Sequence, residues 1–135
     1  MKKSALFICT HNAARSQLAE GFLKALYRDQ YNAFSAGLEL GEVNPYVITA
    51  MADGGIDLSH HRSKSLNEFR GKQFDVVVTV CDHAREACPF FPGKMVLHKS
   101  FPDPSRLKGS EDDILREVRR ICDAIRDWVT ATFKP

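Results

Sequence analysis

The stretch Ser4-Ala5-Leu6-Phe7-Ile8-Cys9-Thr10-His11-Asn12-Ala13-Ala14-Arg15-Ser16 decides how the chain reads. Ser4 to Cys9 is mostly apolar and does not alternate, the pattern of a central strand covered on both faces. Small and polar residues follow, then Arg15 and Ser16. Beyond Ser16, Leu18, Ala19, Phe22, Ala25 and Leu26 recur at helical spacing. Cys9 therefore stands where a buried strand hands over to a helix. Such a turn aims backbone N–H groups and the positive end of a helix dipole at one point, which suits an anion. The same setting suits a thiolate, and the planar fork of Arg15 matches an oxyanion. A lone strand-end cysteine is ordinary packing. Strand, cysteine, arginine and helix together point to a nucleophilic sulfur beneath a bound oxyanion.

Outward from this stretch, the chain alternates strand and helix. Tyr31 to Ala36 reads as a second strand closed by Gly37. Asn44-Pro45 starts a helix with Val47, Ile48, Met51 and Ala52 as its apolar stripe, and Gly54-Gly55 stops it. Ser65 to Phe69 is a short helix candidate. Phe74 to Val80 is β-branched through its centre and ends on Cys81, and Met95 to His98 is a fourth strand. Ser110 caps a last helix running to Thr130, with Glu111, Asp112 and Asp113 at its positive end. Its stripe is Ile114, Val118, Ile121, Ile125 and Trp128. The alternation predicts an α/β fold: one domain over residues 1–135, a four-stranded parallel sheet with helices on both faces. Ligands in such folds sit beyond the carboxyl ends of the strands, so Cys9 and Cys81 are placed to meet over one site.

Composition narrows the function. A net charge of +2 argues against a nucleic-acid or membrane-surface partner. Lys2-Lys3 before a short apolar run is too brief for a signal peptide, and no stretch reaches transmembrane length. The expectation is a monomer in a reducing cytoplasm, where four cysteines serve catalysis, redox cycling or metal binding rather than a disulfide framework.

Cys81-Asp82-His83-Ala84-Arg85-Glu86-Ala87-Cys88-Pro89 admits three readings. Cys81 and Cys88 relay oxidation away from Cys9, or they ligate a metal with His83, or they pack. The spacing fits no common zinc pattern, so neither metal nor other cofactor is expected. Asp82 to Ala87 has helix-forming residue types, and a Cys81–Cys88 bridge would require such a helix to unwind. Cys122 lies on the stripe of the last helix and reads as buried and inert. His11 lies within the anion loop, and His60-His61 in a polar loop. Phe101-Pro102-Asp103-Pro104 is either an ordinary turn or a stiff holder for a general acid, Asp103.

Together these stretches resemble the thioredoxin-coupled arsenate reductases, which share the fold of low-molecular-weight protein tyrosine phosphatases. The likeness rests on Cys9 to Ser16, Ser35-Ala36-Gly37, Val77 to Cys81, Cys88-Pro89 and Asp103-Pro104. It implies that Thr10, His11, Asn12, Ala13, Ala14 and Arg15 hold arsenate, that Cys9 attacks arsenic, and that Ser16 hydrogen-bonds the Cys9 thiolate. Asp103 protonates the departing oxygen. Cys81 then attacks Cys9, arsenite leaves, Cys88 attacks Cys81, and thioredoxin reduces the Cys81–Cys88 disulfide. Members of this family that bind potassium use positions matching Asn12, Glu20 and Ser35 plus an aspartate. Lys64 stands at the aspartate's place here, where its ammonium would supply the ion's charge; a solvated surface lysine is the alternative. The competing enzyme is a phosphomonoesterase of the phosphatase type working through a Cys9 phosphocysteine. Against it, Ala14 replaces a cysteine of that pattern, and Ser105 and Arg106 replace aromatic residues. A module that senses an oxyanion or redox state without catalysis is the third reading.

Overall fold

The computed structural model describes residues 2–82 and 91–135. Strands β1 (Lys3–Cys9), β2 (Tyr31–Gly37), β3 (Phe74–Thr79) and β4 (Gly93–His98) form one parallel sheet in the order β2-β1-β3-β4. Of the helices α1 (Arg15–Tyr27), α2 (Pro45–Asp53) and α3 (Glu111–Thr132), α3 packs on both α1 and α2, and α1 lies against β1 and β2. Ala5, Leu6, Phe7 and Ile8 of β1 are fully buried, as expected of a strand between two neighbours under both layers.

Register settles the faces. Phe7 lies level with Ser35 and Val78, while Leu6 lies level with Phe34 and Val77. Phe7 meets Trp128 and Phe133 edge-on, so the end of α3 covers that face. Phe34, on the other face, meets Phe69 of the single helical turn Leu66–Phe69. Helical segments therefore cover both sides of the sheet. The chain leaves β1 toward β2 and returns across to β3, so strand order reverses at β1. The crevice outside the carboxyl ends of β1 and β3 is the ligand position of such sheets.

Several local expectations shift. In α1 all residues from Ser16 to Leu23 are buried, whereas Ala25 and Leu26 are exposed. The first turns run beneath the loops that follow β2, and the last turn emerges. The α2 stripe is Val47, Ala50 and Met51, and Ala52 faces solvent. A 3.6-residue period puts positions i, i+3 and i+4 on one face. α3 runs two residues past Thr130, with Val118, Ile121, Cys122, Ile125 and Val129 buried and Trp128 half-buried. Ser110 Oγ accepts from Asp113 N and caps it as its sequence predicts.

Candidate active site

The loop between β1 and α1 is built by exclusion. Its carbonyls are engaged on its outer side: Cys9 O by Leu38 N at 3.2 Å, Thr10 O by Glu39 N at 2.9 Å, and Ala13 O by Asn44 N at 2.8 Å. Ser63 Oγ donates to His11 O at 2.7 Å, and Gln17 Nε2 to Asn12 O at 3.2 Å. In a planar trans peptide the carbonyl and the next N–H point opposite ways. The amides of residues 10–14 therefore turn inward, toward Cys9. Asn12 makes the turn possible with φ 52°, a left-handed conformation that Asn tolerates. Gly37 lets the loop sit against β2: a Cβ there would lie 2.7 Å from Asn12 N and 2.8 Å from Thr10 O.

The first turn of α1 adds to this field. Its N-cap is Ala14, with no side-chain cap and no acid in the first turn. By contrast, Asn44 caps α2, and Ser110 with three acids serves α3. The α1 terminus is thus left open for an anion.

Cys9 is 3% exposed, with Sγ 2.8 Å from Ser16 Oγ. Asn12 Nδ2 donates to that same oxygen at 2.8 Å. Ser16 Oγ accepts from Asn12 and still carries its own proton, which a sulfur anion at Cys9 would accept. Asn12 Oδ1 accepts from Gln17 Nε2 at 2.8 Å and from Lys64 N at 2.9 Å. Gln17 Nε2 also reaches Arg62 O at 2.9 Å, so Gln17 Oε1 is the acceptor for His61 Nδ1 at 2.8 Å. A hydrogen-bonded chain thus runs from half-buried His61 through Gln17, Asn12 and Ser16 to Cys9. Sequence reasoning left His61 in a polar loop and gave Gln17 no part, because neither carries a motif of its own.

Lys64 is not a solvated surface residue. Its side chain is 15% exposed and Nζ lies 3.6 Å from Glu20 Oε1. Ser35 Oγ donates to the same carboxylate, and Lys24 pairs with its other oxygen. Burial pushes the Glu20 carboxyl up, but Lys24, Ser35 and Lys64 outweigh it and hold Glu20 below the ordinary glutamate value. For Lys64 burial wins over Glu20, and its ammonium is held below the ordinary lysine value.

Across the mouth, Arg15 Nη1 donates to Phe101 O at 3.2 Å, and Nη2 lies 3.6 Å from Asp103 Oδ2. Asp103 caps the turn Pro104–Arg106, its Oδ1 accepting from Ser105 N at 2.9 Å and Ser105 Oγ at 2.8 Å. Burial raises the Asp103 carboxyl, while Ser105, Arg15 and Arg106 together carry it below the usual aspartate value. Arg15, Asp103 and Ser105 wall two adjoining cavities, of 340 Å³ over Cys9 and 690 Å³ over Cys81. Cys81 is 2% exposed, and its Sγ lies 3.5 Å from Thr10 Oγ1. Ile8 and Thr79 are register partners, and Val80 N donates to Ile8 O at 2.9 Å. Cys9 and Cys81 thus follow closely on paired positions of adjacent strands.

The ring of His11 meets Glu39 Oε2 at 3.0 Å, and His11 lines both cavities. Burial pushes the Cys122 thiol up to about 11, as an inert cysteine requires. Cys88, His83 and most of the Asp82–Ala87 helix candidate lie outside the described residues. Among the described residues no three His, Cys, Asp or Glu side chains gather to hold a metal ion, and no helix is long and apolar enough to cross a membrane.

A family profile described as low molecular weight phosphotyrosine protein phosphatase matches residues 4–134. The arsenate reductase of Halalkalibacterium halodurans is 38% identical over 125 residues, 92% of this chain and 90% of that protein. A solved arsenate reductase in its oxidized state superposes with a TM-score of 0.82 at 28% identity, covering 96% of this chain and 95% of that one. A thioredoxin-dependent arsenate reductase of Corynebacterium glutamicum gives 0.67 at 25% identity, over 97% of this chain and 63% of that one.

Proposed function

The chain belongs to the low molecular weight phosphotyrosine protein phosphatase family, and from that premise we propose that it reduces arsenate to arsenite through a relay of cysteines restored by thioredoxin. One observation carries the reading beyond phosphatase chemistry: a second buried cysteine, Cys81, reaches the anion loop at Thr10. Phosphate-ester hydrolysis needs only Cys9, Arg15 and an acid.

In this reading the inward amides and the Arg15 fork hold the oxyanion. The Cys9 thiolate attacks arsenic, an S–As bond forms and an As–O bond breaks, and Asp103 gives the leaving oxygen its proton. With the loop empty, Arg15 helps keep Asp103 ionised. A bound oxyanion draws the guanidinium to itself and sets its own charge against the carboxylate, which favours the protonated acid. The Cys81 thiolate then attacks Cys9 Sγ. The S–S bond forms, the S–As bond breaks, and its electron pair stays on arsenic. As(V) becomes As(III) while two thiols become a disulfide. Cys88 attacks Cys81 Sγ and frees Cys9, and the two thiols of thioredoxin reduce the Cys81–Cys88 bridge. Such exchange belongs in a reducing compartment, the cytoplasm. Lys64 supplies the cationic charge beside Glu20 and Ser35 that potassium supplies in family members with an aspartate there.

Arsenate-dependent NADPH oxidation, coupled through thioredoxin and its reductase, tests the reading beside aryl-phosphate hydrolysis. The expected result is turnover with arsenate that Cys81→Ser and Cys88→Ser abolish, while both variants keep their hydrolysis of the ester. Ester hydrolysis with no arsenate-dependent NADPH loss would make the chain a phosphatase instead.

A further inference from the structure

A threonine, a histidine and an aspartate line up beside Cys81. Thr79 ends β3 and His98 ends β4, and the two are register partners. Thr79 Oγ1 lies 2.8 Å from His98 Nδ1, and His98 Nε2 lies 2.9 Å from Asp82 Oδ1. An ionised carboxylate only accepts, so Nε2 carries a proton, and in the neutral ring Nδ1 accepts from the Thr79 hydroxyl. The imidazole is thus held at both ends. Its side chain is 22% exposed, whereas that of Asp82 is 72% exposed.

We propose that His98, clamped by Thr79, is a positioning residue that anchors Asp82 and thereby aims Cys81 at Cys9 for the first disulfide. This rests on the relay reading above. The ladder bonds that steady this end of the sheet are Lys99 N to Thr79 O and Val80 N to Ile8 O, each 2.9 Å. Strand β3 ends at Thr79, two residues before Cys81. Thr10 then touches the Cys81 sulfur from the β1 side, and His98 holds the next residue from the β4 side. The bond to be made is demanding, because a disulfide forms only over a narrow range of Cα separations and torsions. A single hydrogen bond to so exposed a carboxylate adds little to global stability, so its loss should disturb aim more than folding.

The test uses a Cys88→Ser background, in which the relay stops at the Cys9–Cys81 disulfide. One turnover at saturating arsenate is quenched in acid and the disulfide is followed by mass spectrometry. Asp82→Ala should slow its formation about tenfold, since misplaced reacting groups lose rate steeply. Iodoacetamide alkylation of Cys9 and the thermal midpoint should stay at parent values. Asp82→Asn keeps an acceptor for the Nε2 proton and should react near the parent rate. His98→Phe should be as slow as Asp82→Ala. A carboxylate acting on Cys81 only through its charge would instead make both neutral Asp82 variants faster, which would overturn the proposal. So would an Asp82→Ala variant that reacts at the parent rate, or an Asp82→Asn variant as slow as alanine. If the Cys88→Ser parent forms no Cys9–Cys81 disulfide, the relay reading falls and the positioning role with it. An unchanged Asp82→Ala beside a reactive parent removes the positioning role alone.

Discussion

Ser16 decides what Cys9 can do, because its hydroxyl is already committed as an acceptor to Asn12 and has one proton left to give. A hydrogen bond to a charged partner contributes about 1.5–3 kcal/mol. Ser16→Ala should therefore slow iodoacetamide alkylation of Cys9 at neutral pH by roughly tenfold or more, since 1.4 kcal/mol is a factor of ten. An unchanged alkylation rate would mean that the loop amides alone hold the sulfur anion. Asp103 sits differently. Its neighbours favour the carboxylate, so the acid role proposed for it requires the bound oxyanion. Asp103→Ala should lower the single-turnover rate at saturating arsenate by roughly a hundredfold, the usual weight of a general acid. Both proposed roles fall on residues of stretches that stand out in the sequence. That Ser16 Oγ also accepts from Asn12 Nδ2, a bond that orients the hydroxyl beside the sulfur, became visible only in the folded structure.

At the scale of elements, the loop after β1 is shaped by β2 and by the segment leading to the Leu66–Phe69 turn. Gly37 N donates to Lys64 O at 2.8 Å, and the loop backbone crowds the same glycine. Gly37→Ala puts a methyl within 2.7–2.8 Å of that backbone, and such overpacking costs about 1–3 kcal/mol. The expected result is a folded protein with a lower thermal midpoint and weakened binding of inorganic phosphate, followed by calorimetry. Phosphate binding equal to wild type would show that the loop can retreat without losing its inward amides. The helix patterns show how far periodicity reaches. The α3 stripe follows from its sequence, since one face of a long helix meets the core. The exposed Ala25 and Leu26 of α1 do not, because the loops that bury the beginning of that helix leave its end uncovered.

For the whole molecule, the Glu20–Lys64 pair joins α1 to the segment before the Leu66–Phe69 turn and stands behind the anion loop. Glu20 is depressed in the folded protein. Its contribution to stability is therefore complete above the unfolded carboxyl value and disappears as pH falls through the folded one. Glu20→Gln leaves the largely buried Lys64 without its carboxylate and should lower stability at pH 7 by about 3 kcal/mol. Urea unfolding should then show a smaller loss of stability between pH 7 and pH 4 than in wild type. A parallel pH profile in the two proteins would remove Glu20 from the acid limb. Lys64→Asp should restore a cation site and make arsenate turnover depend on potassium. Equal turnover in sodium and potassium would show that the ammonium is not replacing an ion.

The sequence alone determined the strand, cysteine, loop and helix of the site, the parallel α/β class and the capped α3, because these depend on neighbours along the chain. Each rests on periodicity, a cap or a spacing of a few residues. Tertiary structure decided the rest. It joined His61 to Cys9 through Gln17, Asn12 and Ser16, set Lys64 against Glu20, and brought His98 to Asp82. Those partners stand up to tens of residues apart, and several have no motif. Their meeting depends on strand order, on the parallel register that levels Thr79 with Ile8 and His98, and on the close approach that a missing Cβ at Gly37 allows. Nothing in local propensity specifies such distances; the folded chain path does.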